Sequence, residues 1–330
     1  MSLRQKWIDY IKVFACILIA MGHLVQGLTR SGILAESIYI QYILWMIYLF
    51  HVNIFFMCSG YLYQKTNKVT SLAAYKNNII NKFISLGVPY FAFAIITWLL
   101  KKIGNSYTNL ESGSLFHFLF IEPATAPYWY LYTLFLLFLI IPNFNKKSTG
   151  LIMQILFGIL YLFSNNFTFN FALMSIMEYG FWFVLGMNLC TTLSERKSDK
   201  KELVYSILFL LLFITICHSV YFSGISASFN AWTLLLGILS VIGFTFFFRI
   251  FEKKISRIPD IDEFAGYTFP IYLMHTIFMG GIRSLLLKMS VTSIYIHLLF
   301  GIFAAFMLPI IVTDIFKKLR YPYKLIYPLK

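Results

Sequence analysis

Ten stretches of this chain, each roughly 16–26 residues long, pass with almost no charged side chain. A helix rises about 1.5 Å per residue, so about 20 apolar residues cross the ~30 Å hydrocarbon layer of a bilayer. A chain with ten such stretches must place most of its surface in lipid. The stretches lie near residues 7–28, 38–63, 82–100, 128–144, 150–165, 172–192, 203–222, 231–251, 264–287 and 291–316. The expected fold is all-α: a polytopic integral membrane protein of about ten transmembrane helices, forming one membrane-embedded domain over residues 1–330. The fourth and fifth stretches are short, and Pro142 closes the fourth. The second is long enough to tilt or break, with the break expected near His51 and Asn53. No Gly/Ser/Pro linker, low-complexity tract or internal repeat is visible, so an inverted-repeat transporter gains no support.

Charge placement predicts an orientation. The net charge of +14 could point to nucleic acid. The cations instead sit in short clusters between apolar runs, which is how topology is encoded, so a nucleic-acid partner is not expected. With the N-terminus in the cytoplasm, 21 Lys and Arg fall at cytoplasmic sites and only 5 outside (Arg30, Lys101, Lys102, Arg283, Lys288). Lys12 lies within the first helix. One helix more or fewer would invert every later loop and spoil this bias, so both termini are expected in the cytoplasm. The apolar N-terminal stretch is too long, and too charged at Asp9 and Lys12, for a cleavable signal peptide. Cys16, Cys58, Cys190 and Cys217 all fall in apolar segments without CxxC spacing and read as small buried residues. Within the outer connection at 101–127, residues 115–120 (LFHFLF) are expected to form a short interfacial or re-entrant helix that shapes an entrance.

Ionisable groups are costly inside hydrocarbon, so each is a candidate for function. The first helix carries Asp9, Lys12 and His23. Eleven steps from Lys12 to His23 make close to three turns, placing both on one face about 16 Å apart. Asp9 precedes Lys12 by one turn and can pair with it. The second stretch holds His51 and Asn53, then Ser59-Gly60, which permits close approach of a neighbouring helix. His275 follows Pro270, whose missing N–H is expected to free a backbone carbonyl beside a cavity. Glu178 lies near the outer end of the sixth stretch and is a candidate carboxylate for orienting His23, although nothing in the sequence pairs them. His117, His218 and His297 fall near outer helix ends or in a loop and read as interfacial. HExxH, P-loop, dinucleotide-glycine and GxSxG motifs are lacking. No metal is therefore expected.

The first helix, with Trp7-Ile8-Asp9-Tyr10-Ile11-Lys12 and Met21-Gly22-His23, resembles the opening of the acyltransferase 3 family, membrane-bound O-acyltransferases of bacterial surface sugars. That family opens with Arg or Lys, ten intervening residues, then His; Lys12 and His23 match. Phe50-His51 through Ser59-Gly60-Tyr61-Leu62, Pro127-Tyr128-Trp129-Tyr130-Leu131 with Leu134-Phe135, and Tyr267 through His275 resemble three further family stretches, in order. Two departures stand out: Lys12 replaces the commoner Arg, a point charge for a planar fork, and around Lys82 many members are richer in Arg.

The resemblance implies acyl transfer from cytoplasmic acetyl-CoA, or a related acyl-CoA, to a hydroxyl of a glycan or lipid-linked sugar, in the bacterial inner membrane. It implies a polyanionic donor end near Lys12, Lys76 and Lys82, and a thioester reaching toward His23. His23 is then expected as general base or as transient acyl carrier, with Asp9 orienting Lys12. His51, Asn53 and His275 are expected to stabilise the oxyanion or bind the sugar, with Trp129, Tyr130, Glu178 and Tyr272 also contacting acceptor. Membrane lipids are the remaining expected partners, and a homo-oligomer is compatible with this reading. The competing expectation is a transporter or flippase of a lipid-linked sugar or small solute, with the histidines as a proton relay. The other large superfamily of membrane O-acyltransferases usually carries its histidine late in the chain, and the early Lys12…His23 pair argues against it.

Overall fold

A computed structural model describes residues 5–66, 71–103, 114–121, 123, 127–193, 200–224, 231–255 and 259–329. Arg4, Lys68, Arg196, Lys197, Arg257, Lys330 and much of the 101–127 connection lie outside them. Among the described residues all regular structure is helical, and nine helical spans are long and apolar enough to cross a membrane. They are α1 (Lys6–Arg30), α2 with α3 (Ile38–Tyr48, His51–Thr66), α4 with α5 (Leu72–Lys82, Val88–Ile103), α7 (Lys147–Phe163), α8 (Phe171–Leu193), α9 (Lys200–Phe222), α10 (Ala231–Ile255), α12 (Thr268–Lys288) and α13 (Ile294–Leu319). The tenth predicted stretch is the 12-residue α6 (Trp129–Ile140). At about 18 Å it is too short to span the hydrocarbon alone. Short α11 (Pro259–Ala265) and α14 (Tyr321–Ile326) flank the last two spans. Leu115–Phe116 are helical and run into a π-helical turn at His117–Ile121, the short segment expected there.

α6 links the interior of the bundle to one of its ends. At its start, Tyr128 bonds Thr97 of α5 (2.9 Å) and the carbonyl of Leu273 in α12 (3.1 Å). At its end, the Leu139 carbonyl accepts from Tyr75 of α4, and Asn143 donates to the Tyr63 carbonyl of α3 (3.1 Å). Ends that the charge count assigns to one side do gather. Lys6 pairs with Asp262 (2.5 Å), Trp7 stacks edge-on against Tyr61 (5.2 Å), and Arg249 pairs with Glu202 (3.2 Å). We refer to this end as the basic face.

The α3–α8 crossing is the tightest helix pair. A Cβ on Gly60 would run into the carbonyl of Phe183, and one on Gly186 into the carbonyl of Met57. Reciprocal glycines let the two backbones touch, the device by which helices associate where lipid offers no hydrophobic driving force. The outer helices show the opposite pattern. Along α9, Leu203, Val204, Ile207, Leu208, Leu211 and Ile214 remain exposed, which suits lipid as their solvent. All four cysteines are free and buried.

One expected backbone feature holds and one does not. The second span breaks at Leu49–Phe50, just before His51. Pro270 falls in the first turn of α12, where its missing N–H would have had no helical partner, so it frees no carbonyl inside the span. A π-helical turn at Phe83–Gly87 joins α4 to α5.

Candidate active site

Helices α1 and α12 run parallel with one register. The Cys16 thiol reaches the Thr268 carbonyl (3.5 Å), and seven residues further along each helix the rings of His23 and His275 meet, centroids 5.3 Å apart. This places a histidine pair inside the bundle, toward the end remote from the basic face. Beside it lies a cavity of about 460 Å³, bordered on α1 by Lys12, Ile19 and His23. Positions 12, 19 and 23 share one helical face. His51, Asn53 and Ser59 of α3, Trp129 and Tyr130 of α6, Tyr179 and Trp182 of α8 and Tyr272 of α12 close the walls. A cationic side chain thus stands toward the basic face and an imidazole toward the opposite face of one mostly apolar chamber, as a small-molecule site requires.

The break in the second span explains two of its polar residues. Ending α2 leaves carbonyls without helical partners. His51 Nδ1 joins the Phe50 N–H (3.2 Å) on the carbonyl of Ile47 (2.8 Å), and Asn53 Nδ2 takes that of Leu49 (2.7 Å). A carbonyl only accepts, so Nδ1 of His51 carries the proton, and in the neutral ring Nε2 is an acceptor. The same holds for His275: Nδ1 faces the carbonyls of Ile271 (2.8 Å) and Tyr272 (2.9 Å), and Nε2, fully buried, has no partner. In the neutral ring, each Nε2 is placed to accept from a hydroxyl or an N–H. Donors nearer the chamber are the second N–H of Asn53 and the linked hydroxyls of Ser59 and Tyr130 (3.0 Å).

Of the residues singled out in sequence, Lys12, His23, His51, Asn53, Trp129, Tyr130 and Tyr272 border the cavity, and His275 packs on His23. Lys82 stands over the Phe138 ring (4.3 Å), close enough for its charge and that of Lys12 to act on each other. Lys76 is exposed on α4, away from the chamber wall. Asp9 does not form the expected ion pair with Lys12, as no such pair within 4.0 Å joins them. Glu178 is not the partner of His23. Its charge acts instead on Tyr161 and Tyr179, which line the cavity, and Glu178 itself does not border it. Gln26, one turn beyond His23, is the neighbour that reaches both His23 and the Tyr48 hydroxyl. His297, read as interfacial, is buried and bonded to the Val291 carbonyl (2.9 Å), whereas His117 and His218 are exposed.

Sequence reasoning missed Tyr48, Tyr179, Trp182 and Gln26. Aromatic residues are so common in this chain, 19%, that none carries a signal by type alone. No group of three or more His, Cys, Asp or Glu side chains suited to a metal ion occurs among the described residues. The family model for an acyltransferase domain, of the acyltransferase 3 type, matches residues 5–316, nearly the whole chain. No curated protein and no solved structure gives a match.

Proposed function

The chain belongs to the acyltransferase 3 family, and from that premise we propose that it transfers an acyl group, acetyl in the simplest case, from acyl-CoA to a hydroxyl of a surface or lipid-linked sugar. In this reading it sits in the bacterial inner membrane with both termini, and the basic face, in the cytoplasm. The observation that carries the proposal is the chamber with Lys12 at one end and His23 with His275 at the other. The phosphates of the donor would stay by Lys12 and Lys82, and the pantetheine arm would enter along α1 to bring the thioester to His23, roughly three helical turns away.

In the chemical step, His23 accepts the proton of the acceptor hydroxyl as its oxygen attacks the thioester carbonyl carbon. The carbon–sulfur bond then breaks, and the departing CoA thiolate takes the proton that His23 held. The unpartnered Nε2 of His275 is an acceptor for the N–H of neutral His23, which would turn the other His23 nitrogen toward the chamber as a base. Asn53 and the Ser59–Tyr130 hydroxyls are the donors placed to stabilise the charge on the carbonyl oxygen. Trp129 and Tyr272 offer aromatic walls for a sugar ring. Acyl transfer through His23 itself would use the same nitrogen, and rapid denaturation during turnover would then trap an acylated His23.

The test is release of free CoA by the purified protein, read with a thiol-reactive dye, with acetyl-CoA and a glycan extract as acceptor. Release should depend on both and vanish in His23→Ala, whose yield and thermal stability should match the parent. An active His23→Ala variant, or a protein that neither binds nor cleaves acyl-CoA, would overturn the proposal.

A further inference from the structure

Beyond His23, α1 carries Gln26, Gly27 and Arg30 at i+3, i+4 and i+7, one continuing face of the helix. Continuing the register that joins Cys16 to Thr268 and His23 to His275 brings Arg30 level with the stretch of α12 that holds Arg283. The Arg283 guanidinium lies directly on Gly27: a Cβ there would occupy its place. The two guanidinium charges act on each other, and the Arg30 charge reaches His23 and Tyr48, both on the cavity wall. Among the described residues, neither arginine has a carboxylate within 4.0 Å or a hydrogen-bond acceptor. Two like charges brought together without a counter-ion repel, and an arrangement of this kind is stable when an anion lies between them.

We propose that Arg30 and Arg283 form a phosphoryl-binding site just beyond the His23 end of the cavity, which holds the phosphate or diphosphate of a lipid-linked sugar acceptor. The acceptor part of this inference rests on the acyltransferase reading above; the binding of phosphate does not. Two planar forks match the oxygens of a phosphate bidentately. Arg30 lies about 10 Å along α1 from His23, so a phosphate at the arginines and a sugar hydroxyl at His23 can belong to one acceptor. Gly27 is required by the arrangement, because any side chain there would push Arg283 off α1.

Differential labelling tests this without any donor. The full chain, in a phosphate-free sugar detergent, is treated with phenylglyoxal, and adducts on Arg30 and Arg283 are followed by mass spectrometry with and without millimolar inorganic diphosphate. Arg249, held by Glu202, is the internal reference. Diphosphate should slow labelling of both arginines together at least about fivefold and leave Arg249 unchanged. Arg30→Gln should lose the protection of Arg283. Gly27→Ala, which keeps every charge and displaces only the mobile end of Arg283, should lose the joint protection while the protein stays folded. Absence of protection by diphosphate would overturn the proposal. So would protection by added phosphatidylglycerol alone, which would make the pair a contact for bulk lipid headgroups. Diphosphate protection in a protein that fails to cleave acyl-CoA would keep the phosphoryl site and remove the acyltransferase reading.

Discussion

The two ends of the bundle treat charge in opposite ways. On the basic face, three cations meet carboxylates: Lys6 with Asp262 at 2.5 Å, Arg249 with Glu202 at 3.2 Å and Lys317 with Asp314 at 2.8 Å. Along the chamber and beyond it, Lys12, Arg30 and Arg283 have no ion pair among the described residues. A paired cation sets topology and ties helices together. An unpaired one beside a cavity holds a potential that only a ligand satisfies. Substitutions on the basic face should therefore change stability and spare ligand affinity, and those along the chamber should do the reverse.

The largest effect is expected at His23. Replacing it with Ala should lower acyl transfer about 10³-fold, within the usual range for loss of a general base, with an unchanged thermal melting profile. A parallel loss of stability would place His23 among the structural residues and erase the contrast. Next comes the most buried pair of the basic face. Glu202 and Arg249 are 6% and 10% exposed, and Arg249 reaches both carboxylate oxygens. Glu202→Ala removes the buried carboxylate that Arg249 reaches through two nitrogens and should destabilise by about 3–5 kcal/mol. Adding Arg249→Leu should recover much of that, and in both variants the donor KM should stay at the parent value. A shifted KM would show that the basic face reaches the chamber.

Lys12 tests the other side of the comparison at a smaller scale. Lys12→Ala should raise the donor KM about tenfold, the equivalent of about 1.4 kcal/mol for one lost charge-assisted contact. Lys12→Arg should retain it, since charge is preserved. A donor KM indifferent to Lys12→Ala would move the phosphates of the donor elsewhere. The smallest effect belongs to Lys317, whose ion pair with Asp314 is 44% and 47% exposed. Lys317→Ala should change stability by less than about 1 kcal/mol, and the remaining difference should disappear in high salt.

Much of the architecture was legible because its signals are local. Hydrophobic length located every span, and even the short α6 sits where the fourth stretch was expected. The glycine at 60 announced a close crossing, though not its partner Gly186, since the sequence carries no sign of which helix it faces. The spacing of Lys12 and His23 placed both on one face of α1, and the chamber lies along that face. Pairings between helices were less legible. Asp9 was expected to pair with Lys12 on helical spacing, yet no ion pair joins them. Glu178 was a candidate to orient His23, yet its charge acts on Tyr161 and Tyr179.

What the sequence determined alone is everything that follows from how far a helix rises and what lipid tolerates: the class of fold, the spans, the charge asymmetry and the face that bears Lys12 and His23. Only the tertiary structure decided which groups meet. It set His275 against His23, gave the Nδ1 atoms of His51 and His275 to backbone carbonyls, and laid Arg283 across Gly27. The physical reason is one of range. Periodicity along a helix relates residues within a few turns of each other, whereas the rotation and register between helices 250 residues apart depend on how whole surfaces pack, and no single residue records that.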